Sequence, residues 1–151
     1  SPLYRAADPH LAALRDETGE SAYLGVHGPG NTVIYARLAE TDRAVRHQGW
    51  LGKSVPLEGT AIGTALQAGC GPKGYYSTTH TMEEGVTAIA STIYWPDGSV
   101  AAAISVVGPS YRISKASADA YGEAVARHAR ELTQYLRSGS HESQPAARTA
   151  R

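Results

Sequence analysis

GVTAIASTIYWPDGSVAAAISVVGPSYR, residues 85–112, holds two apolar runs, Val86–Tyr94 and residues 100–107, on either side of Trp95, Pro96, Asp97, Gly98 and Ser99. Apolar runs separated by a Pro/Asp/Gly break read as a β-hairpin with a longer than minimal turn. Neither run alternates cleanly, because Ala101, Ala102 and Ala103 stand where an exposed strand would carry polar groups. Small side chains on both faces suit the middle of a sheet closely covered by a helix. Gly108 and Pro109 then stop the second strand.

Downstream of the hairpin, Ser114 is a good N-cap, and Tyr121, Val125, Ala129, Leu132 and Leu136 form one apolar stripe at helical spacing. The pattern predicts a helix over residues 115–137, packed along the sheet through Val125, Leu132 and Leu136. Residues 138–151 carry no period and read as a disordered tail. Upstream, Leu3, Ala7, Leu11 and Leu14 predict a helix over residues 2–17 with Gly19 as C-cap. Pro9 lacks an N–H, so a break is expected near Asp8 and Pro9. Ser21–His27 and residues 32–38 read as a first hairpin, and residues 44–48 as a short strand before Trp50 and Leu51. Residues 58–66 predict a short helix starting at Gly59 or Thr60, with Thr60 as its cap. Residues 69–84 are polar and glycine-rich. This order predicts an α+β domain, an antiparallel sheet with helices on one side.

A chain of 151 residues is one domain of ordinary size. Fourteen basic and fourteen acidic side chains cancel, which argues against a surface dominated by nucleic-acid binding. Cys70 stands alone, so there is no disulfide framework and no thiolate metal cluster. No run reaches the length of a membrane span and no signal peptide opens the chain, so a cytoplasmic protein without membrane partners is expected. There are nine tyrosines, two tryptophans and no phenylalanine. Coding bias and a tyrosine-lined cavity both account for that composition.

Enzymatic readings find little support. His10, His128 and His141 fall on helix or tail positions and read as surface. His27, His47 and His80 could meet as a zinc trio, but no two show ligand spacing. Cys70 reads as a loop or helix-end filler, and Ser105 sits in a strand rather than on a nucleophile elbow. The segment GTAIG, residues 59–63, lacks the lysine of a phosphate loop and the glycines of a dinucleotide loop. Its small residues allow either tight packing or a ligand beside the helix start. No catalytic residue, metal ligand or cofactor is assigned.

Binding readings are carried by four segments. Leu14 to Glu20 reads LRDETGE, residues 55–65 read VPLEGTAIGTA, and the central hairpin reads G-V-x-x-I-A, D-G and A-A-x-S-V. G-P-x-x-R follows at residues 108–112. In this order, over residues 3–137, they resemble the effector-binding domain of IclR-type bacterial transcriptional regulators. The resemblance implies a GAF-like or profilin-like antiparallel sheet with flanking helices and a long C-terminal helix. It also implies a ligand-sensing domain, not an enzyme, that binds a small organic effector and relays its occupancy to DNA through a helix-turn-helix domain. Nothing ahead of Ser1 supplies that domain, so contact with DNA is expected only through a missing N-terminal part. Self-association as a dimer or tetramer is implied too.

Carried onto this sequence, the effector contacts fall at His47, Val55, Ala61, Ile62, Thr78, Val86, Ala88, Ser105 and Val107. Trp50 joins them as a cover for the ligand, although a lid over the core edge explains it equally well. Members of the family often carry Asp, Cys or Ser at several of these positions. Thr78, Ala88 and Val107 are less polar, which points to a carboxylate with an apolar or aromatic body. The family also spends a further helix and strand between the GTA-type helix and the GV strand, where residues 69–84 look too short. A structural or dimerisation module without a ligand is the alternative, and a small GAF-like enzyme a third.

Overall fold

The computed structural model describes residues 1–44, 49–79 and 84–139. Six strands are β1 (Ser21–His27), β2 (Thr32–Ala39), β3 (Ser54–Pro56), β4 (Tyr76–Thr79), β5 (Val86–Tyr94) and β6 (Val100–Pro109). They form one antiparallel sheet in the order β3-β2-β1-β6-β5-β4. Three α-helices accompany it, α1 (Pro2–Thr18), α2 (Ala61–Ala68) and α3 (Lys115–Ser138). The α+β class and the antiparallel β5–β6 hairpin are as the sequence predicts, with Ile89 opposite Val106 and Ile93 opposite Ala102. The turn closes through the Trp95 N–H on the Ser99 carbonyl at 2.8 Å. Asp97 accepts from the Ser99 N–H and hydroxyl, and those two bonds hold its carboxyl below the usual carboxylate range.

Helices cover both faces of the sheet, not one. Even positions of β6 (Ala102, Ile104, Val106) meet Leu3, Leu11 and Leu14 of α1 and Val125, Leu132 and Leu136 of α3 in one core. The odd positions Ala103 and Val107 meet Ala61, Ile62, Ala65 and Leu66 of α2 in a second. β6, central in the sheet, therefore needs small or apolar residues at every position, which is why its run does not alternate. Each fully buried leucine or isoleucine here contributes about 1.5–3 kcal/mol. That sum, more than helix propensity, holds α1 and α3 on the sheet.

Three further expectations are corrected. α1 runs unbroken through Pro9. Proline costs about 3 kcal/mol inside a helix. Leu3 and Ala7 before it and Leu11 and Leu14 after it are all buried in the same core, and a break would give up one half. The stretch after α2 contains a strand, β4, whose four residues pair only with β5. β3 likewise adds a three-residue strand on β2. His128, expected on the surface, is buried where α1 crosses α3, and its Nδ1 lies 2.8 Å from Nδ1 of half-buried His10. Ala44 lies in a bend, and the rest of the strand expected over residues 44–48 falls outside the described residues, as do His47, His80, His141 and residues 140–151 of the expected tail.

Candidate functional site

Strand parity builds the face that α2 covers. Ser105 pairs with Ala90 of β5 and Val107 with Ala88, so these side chains share one side of the sheet. β4 extends the rows, with Thr78 opposite Ala88 and Tyr76 opposite Ala90. On the other flank Tyr23 of β1 stands opposite Ser105.

Above this face, α2 begins with Thr60 as N-cap. Its hydroxyl accepts from the Gly63 N–H at 2.8 Å and donates to the Leu57 carbonyl at 3.0 Å. Gly25 lets the helix come close, since a Cβ there would stand 2.5 Å from Ile62 Cδ1. Ala61 and Ile62 are buried, and among the described residues no acceptor meets their N–H groups. A first helical turn leaves such donors free by construction, and the helix dipole makes them slightly positive.

Of the residues expected at an effector site, Ala61, Ile62 and Val107 are members of the second core. Trp50, Val55, Val86 and Ala88 pack against it partly buried. Ser105 is buried and Thr78 half-buried on the same face by register. His47 lies outside the described residues.

Two aromatic residues outside the expected set also lie on this face. Tyr23 and Tyr35, both buried, stand edge to face with ring centroids 5.1 Å apart. Trp50 lies 5.1 Å from Tyr35 and 6.0 Å from Tyr23, and its backbone N–H donates to the Tyr23 oxygen at 3.1 Å. Burial, with Tyr23 beside it, pushes the Tyr35 phenol well above the usual tyrosine range, so it stays protonated. The signal was present in SAYLGVH, where Tyr23 shares the parity of Gly25. Placing that parity opposite Ser105 needs the β1–β6 pairing, which no local pattern states.

Other candidate groups are otherwise engaged. His27, exposed at the end of β1, places Nε2 3.2 Å from the Leu66 carbonyl of α2. Cys70 follows the end of α2, its N–H on the Tyr94 oxygen at 2.9 Å and its thiol 3.7 Å from Ser91 Oγ.

Residues 1–80 and 71–134 match the family described as bacterial transcriptional regulator IclR C-terminal. The chain belongs to the IclR family. Among curated relatives, the IclR-type chain is 30% identical over 168 residues to the HTH-type transcriptional regulator BhcR of Paracoccus denitrificans. That match takes in 88% of the chain and 60% of the regulator's length. Among solved structures, the IclR of Thermotoga maritima gives a TM-score of 0.79 at 18% identity, covering 89% of this chain and 68% of that one. HmgR of Pseudomonas aeruginosa gives 0.78 at 22% identity, covering 89% and 67%. The fold of the IclR effector domain is thereby established for this chain. Membership supports a general ligand-sensing, effector-binding regulatory role, and regulators of the IclR family are DNA-binding transcription factors, not enzymes. No helix among the described residues is long and apolar enough to cross a membrane.

Proposed function

We propose that this IclR-type domain binds a small organic carboxylate with an apolar or aromatic body where α2 begins above the sheet. It relays occupancy to a DNA-binding domain of the longer regulator. The observation that carries this reading is the pair of buried N–H groups at Ala61 and Ile62, without an acceptor among the described residues. They favour an anion. Val86, Ala88 and Val107 give apolar walls, Thr78 and Ser105 a sparse polar inventory, and the Trp50 group an aromatic cover. His47 and Val55 join the site by the family pattern. Binding pockets commonly combine such an apolar lining with few placed polar groups.

A thermal-shift and calorimetric screen of metabolite acids, each paired with its primary amide, tests the reading. Hydrogen bonds to a charged group are worth about 1.5–3 kcal/mol, so the amide should bind roughly 10- to 150-fold more weakly. An amide that binds as tightly as its acid would remove the anion from the α2 terminus. If no acid binds, the reading falls.

The same reading includes self-association as a dimer or tetramer. Leu51, Trp95 and Tyr111 are large apolar side chains left exposed. Sedimentation at high protein concentration should show a dimer or larger species, and a lone monomer throughout would count against it.

A further inference from the structure

On the face opposite α2, α1 and α3 bring three donor atoms together. His10 Nδ1 lies 2.8 Å from His128 Nδ1 and 3.7 Å from Glu131 Oε1, and His128 Nδ1 lies 4.0 Å from that same oxygen. The point equidistant from the corners of a 2.8, 3.7 and 4.0 Å triangle is about 2.1 Å from each. That is the bond length zinc makes to imidazole nitrogen and carboxylate oxygen.

The surroundings suit a metal ligand. His128 Nε2 faces Glu17 Oε2 at 3.1 Å and must donate to it, which leaves the Nδ1 lone pair pointing at His10 and Glu131. Glu17 is itself held by Arg127 Nη2 at 2.6 Å, and the same guanidinium nitrogen lies 3.4 Å from His128 Nε2. A carboxylate behind a histidine fixes its tautomer and raises its basicity as a ligand. His128 is 8% exposed, His10 23% and Glu131 53%, so an ion would have a fixed inner side and an outer side open to water. Two imidazoles and one carboxylate are donors that zinc accepts readily.

We propose that His10, His128 and Glu131 bind one zinc ion that joins α1 to α3. This site is separate from the effector face, and its fate does not depend on the effector reading. In calorimetry with zinc chloride on the untagged chain, one equivalent should bind and raise Tm by roughly 5 °C or more at saturation. His10→Ala should weaken binding at least about 30-fold and cancel the Tm gain, and Glu131→Gln should weaken it about tenfold. Glu17→Gln, which touches His128 and Arg127 but none of the three donor atoms, should cost about 10- to 100-fold in zinc affinity. His27→Ala should change nothing. Cobalt in place of zinc gives a second readout, a visible absorption band that depends on His10. Glu131 is exposed, so Glu131→Gln tests the site even if His10→Ala disturbs the fold. No binding of zinc by the wild-type chain, or binding unchanged in His10→Ala or Glu131→Gln, would overturn the site.

Discussion

Arg112→Met should lower the unfolding free energy by roughly 3–5 kcal/mol, read as a fall in the urea midpoint at unchanged slope. Glu20, in the link between α1 and β1, has a fully buried side chain. Arg112 grips it with two nitrogens, Nε and Nη2, each at 2.8 Å. Arg43 adds one contact at 3.4 Å from a more exposed position. The grip holds the Arg112 guanidinium above its ordinary pKa through the hydrogen bonds to Glu20. Removing Arg112 strands a buried carboxylate, and the large cost comes from that stranded charge. The double variant Glu20→Met with Arg112→Met should therefore recover much of the loss, because no unpaired charge remains inside. Gly108 completes the arrangement, since a Cβ there would stand 2.6 Å from the Glu20 carboxyl. A single-variant loss below about 1 kcal/mol would mean that Arg43 and solvent already neutralise Glu20.

The pair shows what the sequence could and could not disclose. The T-G-E and G-P-x-x-R segments stood out as patterns, yet nothing local says that Glu20 and Arg112 meet across 92 positions. Elements decided by local signals were legible. The hairpin of β5 and β6, the Thr60 and Ser114 caps, the Gly19 terminus and the stripe of α3 all follow from spacing and turn chemistry. Elements decided by their neighbours were not. β4 is four mostly polar residues, a strand only because the edge of β5 is there to pair with. α2 crosses to the other face because β6 joins β1, a long-range pairing that leaves one face of the sheet free to bury its apolar side. At Pro9 the local cost predicts a break, and burial on both sides of it outweighs that cost.

The candidate site divides the same way. Ala61, Ile62, Ala88 and Val107 could be placed by motif, and parity puts them on one side. Tyr23 and Tyr35 reach that side only through the β1–β6 register and the shift between Leu24 and Gly25 in the β1–β2 pairing. The burial of His128 is hidden from the sequence for a related reason. Its position on α3 says nothing about which helix lies across it.

Ala88→Trp should abolish effector binding, with a loss of at least about 100-fold in affinity, or 2.8 kcal/mol by the usual conversion. Ala88 is only partly buried, between Thr78 and Val107 in register and facing the side where α2 begins. An indole there would project from the sheet on the side where α2 begins and obstruct a ligand reaching the Ala61–Ile62 donors. Overpacking of a full interior costs about 1–3 kcal/mol, and a partly buried site with one side open should cost less than the upper end of that range. The variant should accordingly keep its circular dichroism and most of its urea midpoint while losing the ligand. Ser77→Trp, exposed on the opposite side of neighbouring β4, serves as the matched control and should bind as the wild type does. Equal loss in both variants would point to an indirect effect on the β4–β5 edge. A hit that persists unchanged in Ala88→Trp would move the effector away from this face, and the buried donors of Ala61 and Ile62 would then need another partner.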